Sequence, residues 1–250
     1  MKTIDTGITL GALVNTHPSL ARKLERLGLD YCCGGGQSLA EASTSQGLDP
    51  VMVANELAAI ATNEPGPEWL TMSATELVDH LEATHHRYLK DELPRLSALV
   101  AKIVSVHGGR HGELKEIAGC YEEIRADLEP HLQKEENILF PMIRELSSAK
   151  SAPTFHCGTL QNPISVMMNE HEMVGELLAK LRKLTDGYQT PADGCATYTT
   201  CFAGLSELES DTHLHVHKEN NLLFPQVLRM EQEIATAGKI HNKVLITKQN

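Results

Sequence analysis

The sequence lacks several features that mark common classes of protein. It has no run of about 20 apolar residues, the length that a membrane-spanning helix needs, so no membrane association is expected. Its start, MKTIDTGITLGALV, has no sustained apolar core followed by a small-residue cleavage site, so no signal peptide is expected. Its 22 basic residues are outnumbered by 33 acidic ones, and the formal net charge of −11 argues against a broad nucleic-acid-binding surface.

The sequence also lacks the C-x-x-C spacing of a zinc knuckle. Its six cysteines are Cys32, Cys33, Cys120, Cys157, Cys195 and Cys201. The adjacent pair could join in a disulfide only through a strained ring. Because no export signal precedes them, the cysteines are predicted to be reduced thiols in the cytoplasm.

The residue pattern divides the chain into four parts. Residues 1–62 alternate short helical segments with breaks, which predicts a small N-terminal helical domain; Asp49 and Pro50 mark one helix start, and the glycine-rich DYCCGGGQSL is a break. Residues 63–71 are predicted to be a linker. Residues 72–235 hold long helical patterns, which predict an all-α fold built on an antiparallel four-helix bundle. Residues 236–250 are predicted to be a poorly ordered or peripheral tail.

Thirteen histidines are a high count, and two of them open matching stretches. Residues 131–141 read HLQKEENILFP and residues 215–225 read HVHKENNLLFP, each an apolar run stopped by proline. An offset of 84 residues aligns His131 with His215 and Glu135 with Glu219. Another histidine precedes each block by 45 or 44 residues, as His86 and His171. The pattern therefore predicts two helical hairpins built on one plan.

The repeated residues are polar, and an internal pseudo-twofold axis would bring them together in the bundle core. Buried carboxylates and imidazoles are unfavourable without partners. Two metal ions, each taking two histidines and sharing two bridging glutamates, would use every group. Nitrogen and oxygen ligands in a helical bundle favour iron over manganese or zinc. A single His-x-x-x-Glu is more often a solvated pair, but two copies in matching context favour the dinuclear site.

Neighbouring histidines leave part of this choice open. Both His85 and His86 are available in ATHHRYL, and the spacing alone does not exclude either. In the last block, His215 shares a helix face with Glu219, whereas His213 and His217 share another. The remaining histidines without a repeat counterpart are predicted to lie on the surface or in loops: His80, His107, His111, His156 and His241.

These motifs resemble those of a known family. The bundle resembles a hemerythrin-like domain, and the chain from residue 1 to about residue 230 resembles the RIC (repair of iron centres) family. The stretch GLDYCCGGGQSLAEA and the two H-x-x-x-E-[EN]-N-[IL]-L-F-P blocks carry the resemblance. It implies two iron ions with bridging glutamates, and it selects His86 over His85. The implied ligands are His86, His131, His171, His215, Glu135 and Glu219.

The resemblance also implies a function. It suggests a cytoplasmic di-iron protein that repairs iron–sulfur clusters damaged by nitric oxide or oxidants, by donating iron, by reducing nitric oxide, or by both. The implied partners are proteins with damaged clusters, nitric oxide or oxygen as small ligands, and an unidentified electron donor; a homodimer is permitted. The alternative is an oxygen or nitric oxide sensor or binding module. An iron store would need the Glu-x-x-His arrangement of ferritins instead.

The chain departs from oxygen-carrying hemerythrins at two positions. Those proteins place a second histidine four residues after the third-helix ligand, where this chain has Gly175. They also end with His followed by Asp five residues on, where Glu219 follows His215 by four. Fewer histidine ligands leave more exchangeable positions on each iron, which suits small-molecule reactions or iron release better than oxygen storage.

The Cys32–Cys33 pair has two interpretations. CCGGG could be a tight turn with incidental thiols, or a helix starting at Ser38 could stabilise a thiolate. The resemblance favours a functional role: reducing the di-iron centre, binding a metal transiently, or exchanging thiols with a partner. Cys32 and Cys33 are therefore candidate redox thiols. The other four cysteines are predicted to be structural.

Overall fold

The computed structural model describes residues 4–61 and 67–247, with side chains through residue 237. Within these ranges the regular structure is helical, apart from two isolated bridges, Thr9–Ser38 and Phe155–Gly158. No helix in the described part is long and apolar enough to cross a membrane. The predicted all-α class is confirmed.

The N-terminal segment folds into four short α-helices, which are α1 (Leu10–Thr16), α2 (Ala21–Arg26), α3 (Leu39–Ser45) and α4 (Pro50–Ile60). Ser38 caps α3 through a capping box with Glu41, and Asp49 caps α4 directly before Pro50. These helices bury a shared apolar core that also takes in Val216 from a bundle helix. The segment is therefore packed onto the bundle.

Four long helical rods form the bundle, and three of them contain a π-helical turn. The first rod joins α5 (Ala74–Leu81) to α6 (Arg87–His107) through Glu82–His86. The second joins α7 (Leu114–Lys134) to α8 (Phe140–Ser148) through Glu135–Leu139, and the fourth joins α10 (Ala196–Lys218) to α11 (Phe224–Thr247) through Glu219–Leu223. The third rod is α9 (Gln161–Leu184).

The prolines of the repeated blocks lie just beyond two of these turns. Pro141 and Pro225 each occupy the second position of the following α-helix, and proline has no N–H to bond the carbonyl one turn back. An α-helical bond is thus missing where the wider π register ends. The apolar runs end at these prolines, but the helices continue past them, α8 to Ser148 and α11 to Thr247.

The bundle core is divided into two apolar clusters. One contains Leu89, Ile124 and Leu205 together with their neighbours, and the other contains Leu81, Phe140 and Phe224 together with theirs. One end of each rod contributes to the first cluster and the other end to the second. The predicted ligands lie near the middle of each rod, where the two clusters meet. The middle of the bundle is therefore a buried polar layer.

The predicted linker and tail are described only in part. Residues 62–66 lie outside the described residues, while Glu68–Thr71 form a 3-10 helix whose Trp69 packs against the second apolar cluster. Backbone helix extends through much of the predicted tail, to Thr247, and residues 248–250 lie outside the described range.

Candidate metal centre

Each rod of the bundle brings one histidine into the polar layer. His86 ends the first π turn, His131 lies in α7, His171 in α9 and His215 in α10. All four are at most 3% exposed. Glu135 and Glu219 each begin a π turn and are fully buried. The structure thus brings the six predicted ligands together.

The six side chains form two groups that share both glutamates. One group contains His86 and His215, the other His131 and His171, and each includes Glu135 and Glu219. Glu135 points Oε2 at the Nε2 atom of His86 and Oε1 at that of His131, both at 3.4 Å. Glu219 points Oε1 at the Nε2 atom of His215, at 3.3 Å, and Oε2 at that of His171, at 3.1 Å. Each carboxylate therefore offers one oxygen to each group.

The hydrogen bonding of these groups fits metal ligation. The four oxygens of Glu135 and Glu219 are buried and have no hydrogen-bond partner among the described residues, and the same holds for Nε2 of His86 and of His215. Polar atoms buried in this way are strongly unfavourable unless a partner satisfies them. Nε2 of His131 also lies 3.1 Å from Nε2 of His171, so these two ring nitrogens face each other. Cations shared between the two groups would satisfy all these atoms.

The local charges favour a cation as well. Burial alone would raise the pKa of Glu219, but His215 and His171 outweigh burial and hold the pKa well below its usual value. Burial would lower the pKa of His131, but Glu135 and the other nearby carboxylates raise it to about 9. Burial and Glu219 would raise the pKa of Glu135, but His131 and His86 outweigh them and lower it. Both carboxylates therefore stay ionised in the core, where positive charge is needed to balance them.

Carboxylates outside the layer orient two of the histidines. Nδ1 of His86 lies 2.9 Å from Glu136, which also accepts hydrogen bonds from Lys90. Nδ1 of His131 lies 2.9 Å from Glu170, which in turn bonds Lys134. A hydrogen bond at Nδ1 fixes the tautomer that leaves the Nε2 lone pair facing inward, a recurrent arrangement around metal-bound histidine.

An amide takes the corresponding place beside His171. Nδ1 of His171 donates to Oδ1 of Asn220 at 3.0 Å. Glu136 and Asn220 are separated by the same 84 residues as the two blocks, and each follows a bridging-glutamate candidate. Glu136 therefore supports His86 within the first hairpin, and Asn220 supports His171 within the second. These two residues were missed from the sequence, although the repeat contained the signal.

His215 differs from the other three histidines. Its Nδ1 atom has no partner among the described residues, and its ring stacks on His85 at a centroid distance of 5.3 Å. In the second hairpin, Glu170 directly precedes the candidate ligand His171. The equivalent position in the first hairpin, directly before His86, is His85, so an imidazole replaces a carboxylate there. Nζ of Lys218 lies 2.7 Å from Nε2 of His85. The two ends of the layer therefore have different surroundings.

The remaining histidines lie outside the layer. His213 contacts Glu25, and His217 contacts Asn15 and the carbonyl of Tyr31, so both hold the N-terminal segment. His156 is exposed and His80 and His111 are partly exposed, in keeping with the expected surface positions, while the side chain of His241 lies outside the described residues. The prediction for His107 was wrong, because it is buried, with 4% exposed.

The Cys32–Cys33 pair lies in a loop organised by Asp30. The Asp30 carboxylate accepts hydrogen bonds from the backbone N–H groups of Cys32, Cys33 and Gly34, and Sγ of Cys32 lies 3.1 Å from Oδ1. The hydrogen bond to Cys33, burial and Asp30 together raise the pKa of the Cys32 thiol well above its usual value. The interpretation in which a helix start stabilises a thiolate is therefore not supported for Cys32, because its thiol and carboxylate neighbours and its burial disfavour the charged form.

Cys195 was expected to be structural, and the structure gives it a different setting. It is exposed, it occupies the N-cap position of α10, and its Sγ atom lies 3.2 Å from Nε2 of His107. The hydrogen bond from His107 and the backbone N–H groups of Tyr198 and Thr197 lower the pKa of Cys195 to about 7. Cys120 and Cys201, in contrast, are buried in the first apolar cluster, as predicted.

Two family models match the chain. The Hemerythrin HHE cation binding domain matches residues 77–227, which contain all six residues of the polar layer. A Domain of Unknown function (DUF542) matches residues 6–61 and includes Cys32 and Cys33. The matches fall on the two sides of the predicted linker.

Curated relatives named iron–sulfur cluster repair protein YtfE match along most of the chain. The protein from Cronobacter sakazakii (strain ATCC BAA-894) is 33% identical over 223 residues, which cover 89% of this chain and 97% of the relative. The one from Edwardsiella ictaluri (strain 93-146) is 36% identical, covering 88% and 96%. The one from Enterobacter sp. (strain 638) is 34% identical, covering 89% and 97%.

Proposed function

The chain belongs to the family of iron–sulfur cluster repair proteins that carry a hemerythrin HHE cation binding domain, and from this membership we propose that it repairs iron–sulfur clusters damaged by nitrosative or oxidative stress. The proposed cofactor is a pair of iron ions held in the polar layer. The proposed targets are proteins whose clusters have been damaged. The sequence-based assignment of a reducing, cytoplasmic compartment fits the six free thiols, and the homodimer stays a prediction.

The observation that supports the di-iron proposal most strongly is that the buried carboxylate oxygens of Glu135 and Glu219 have no hydrogen-bond partner among the residues that the structure describes. Glu135 and Glu219 would bridge the ions, since each offers one oxygen to each histidine pair. His86 and His215 would complete one position, and His131 and His171 the other. Imidazole and carboxylate ligands in a helical bundle suit iron among the available metals.

Two routes to repair are compatible with this layer. Bound iron would supply open positions for nitric oxide and electrons for its reduction. Reduction of two nitric oxide molecules to nitrous oxide and water consumes two electrons and two protons, so repeated turnover needs an external reductant. In the other route iron itself is the cargo and passes to the damaged cluster. Loss of iron along that route would leave Glu135 and Glu219 ionised in the core, ready to bind again.

A reactivation assay tests this function. An iron–sulfur hydratase inactivated by nitric oxide is incubated with the iron-loaded protein, with free ferrous iron as the reference. We expect the loaded protein to restore more activity than an equal amount of free iron, and the Glu219→Leu variant to restore no more than free iron does. Wild-type protein that performs no better than free iron would contradict the proposal.

Nitric oxide consumption, followed with an electrode in the same samples, separates the two routes. Multiple turnovers with a reductant support reduction, and stoichiometric loss of iron to the hydratase supports donation. The alternative of a sensor or binding module predicts neither.

A further inference from the structure

The N-terminal loop contains a second group of metal-ligating atoms, well separated in sequence from the bundle ligands. One ligand atom each from Asp30, Cys32 and Cys33 lies within 4.8 Å of the others. The two sulfur atoms are 3.9 Å apart, and Sγ of Cys32 is 3.1 Å from Oδ1 of Asp30. A tetrahedral ion with metal–sulfur bonds of about 2.3 Å would hold two thiolates about 3.8 Å apart. The sulfur pair is therefore already spaced for shared coordination.

The loop geometry also keeps the two thiols separate. A disulfide needs sulfur atoms about 2 Å apart, and between adjacent residues it closes a strained ring. Asp30 fixes this part of the backbone by accepting hydrogen bonds from the N–H groups of Cys32, Cys33 and Gly34. Oδ2 of Asp30 accepts one of these bonds, so it keeps lone-pair capacity for a cation.

The group opens on a cleft between the N-terminal segment and the bundle. The cleft has a volume of about 690 Å³ and is lined by all three residues. Five carboxylates and one guanidinium line the cleft, so its lining has a net charge of −4 when histidine is neutral. Those carboxylates belong to Glu25, Asp30, Glu172, Glu176 and Glu209, and the guanidinium to Arg182. Such a cleft concentrates cations near the thiols.

One side chain connects this group with the polar layer. Oδ1 of Asn220 accepts the hydrogen bond from His171, while its Nδ2 donates to the carbonyl of Cys32 at 3.4 Å and lies 3.9 Å from Sγ of Cys33. A single amide therefore contacts both a candidate bundle ligand and the cysteine loop.

We propose that Asp30, Cys32 and Cys33 form a second, mononuclear site for a thiolate-binding divalent cation of the ferrous-iron class. Binding would join the metal to both sulfurs and one carboxylate oxygen, and the two thiol protons would leave to water without any change of oxidation state. The binding site stands on its own geometry, whereas its role as a transfer point for cargo iron rests on the proposed function.

Cobalt(II) is a suitable probe because thiolate coordination gives it a charge-transfer absorption band. The full-length protein, with its bundle iron measured beforehand, is titrated with cobalt(II) under reducing conditions without oxygen. We expect the band to saturate at one cobalt per chain. Since even the outer partners of metal ligands change affinity by about 10–100-fold, Cys33→Ser should weaken binding by at least about tenfold.

Cys33 is exposed, so this variant tests the site without disturbing the core that contains Cys32. Cys195→Ser is the matched control, because Cys195 is the other exposed thiol and lies beside an imidazole. Its band should equal that of the wild type.

The outcomes separate this inference from the proposed function. A wild-type protein with two bundle irons but no thiolate–cobalt band would overturn the second site alone. A band that persists in Cys32→Ser/Cys33→Ser, or disappears in Cys195→Ser, would place the cobalt elsewhere and overturn it as well. Wild-type protein that cannot hold bundle iron would contradict the proposed function, whatever the cobalt result.

Discussion

At the scale of single residues, the side chain beyond each histidine distinguishes otherwise similar positions. His86 and His131 are supported by Glu136 and Glu170, whereas an amide serves His171. His215 has no such support at Nδ1 among the described residues and faces the ring of His85 instead. The positions of the candidate ligands follow the sequence repeat closely. The side chains that contact the Nδ1 face of each histidine differ between the two copies of the repeat.

The choice of histidine in the last block leads to the first prediction. His215→Ala should lose most bound metal, because it removes a nitrogen aimed at Glu219. His213→Ala and His217→Ala should retain it, because those rings contact Glu25 and Asn15. Elemental analysis of the three purified variants makes the comparison. Equal loss in all three would mean that the helix register is misassigned.

Cys195 leads to a prediction about pH. Its pKa is lowered to about 7, so its reactive thiolate should form as pH rises through about 7, earlier than for an ordinary thiol near 8.5. The rate of alkylation at Cys195, followed by peptide mass spectrometry, should therefore reach half its plateau near pH 7. His107→Ala should move the midpoint upward, because it removes the donor to sulfur. A midpoint near 8.5 in the wild type would contradict the assigned environment.

At the scale of elements, three π turns coincide with predicted ligands. His86, Glu135 and Glu219 each lie at one end of such a turn. π turns are rare and occur frequently at functional sites, where the extra residue changes which side chains face inward. Helical periodicity alone did not predict them, because it assumes one uniform repeat. Pro141 and Pro225 were the available signal for two of these turns, but the sequence pattern marked them only as the ends of apolar runs.

The ligand turns should respond most strongly to metal removal. Without a cation, the buried carboxylate oxygens of Glu135 and Glu219 have no hydrogen-bond partner in the described part of the chain, so the turns that carry them should open more readily. Bound metal at a thousandfold excess over its dissociation constant stabilises a protein by about 4 kcal/mol. Hydrogen exchange before and after chelation should show the largest increase at 82–86, 135–139 and 219–223. The segments of the first apolar cluster far from these turns, such as Ile103 and Ile117, should stay protected.

If chelation left hydrogen exchange in those turns unchanged, the metal would not be bound in the polar layer. An equal increase along all four rods would instead indicate global unfolding of the metal-free chain.

At the scale of the whole molecule, Asn221 is one of the bundle residues that bind the N-terminal segment. Nδ2 of Asn221 donates to the carbonyls of Cys32 and Tyr31 at 3.0 and 3.3 Å. A Cβ atom at Gly35 would lie 2.3 Å from Oδ1 of Asn221 and 2.6 Å from the carbonyl of Tyr31. Part of the glycine-rich motif is therefore needed for this close approach.

Gly35→Ala should weaken the docking of the N-terminal segment while the bundle keeps its metal. Overpacking of this kind typically destabilises by about 1–3 kcal/mol. Gly36→Ala is the matched control, since a Cβ there meets no atom within 4 Å. Limited proteolysis of the N-terminal segment, run beside metal analysis, makes the test. Equal protease resistance in both variants would contradict the contact.

The sequence predicted more of this molecule than periodicity alone allows, because the repeat consists of polar residues. It predicted the bundle, and together with the family resemblance, which selected His86 over His85, it identified the six side chains that the structure brings together. It could not predict the contacts between distant segments, such as Asn220 with Cys32 or His107 with Cys195, because no spacing along the chain encodes them. The sequence could not predict the raised pKa of Cys32 for the same reason, since this pKa depends on how the loop places Cys33 and Asp30 beside the thiol.

The central claim is that Glu135 and Glu219 bridge two iron ions in the middle of the bundle. Mössbauer spectroscopy of ⁵⁷Fe-loaded protein, calibrated by iron content per chain, tests it most directly. We expect about two irons per chain in a coupled pair, with sharp loss of both in Glu135→Leu and in Glu219→Leu. Glu129→Leu, an exposed glutamate in α7, should leave the spectrum unchanged. A full, coupled iron pair in both Glu135→Leu and Glu219→Leu would contradict the claim.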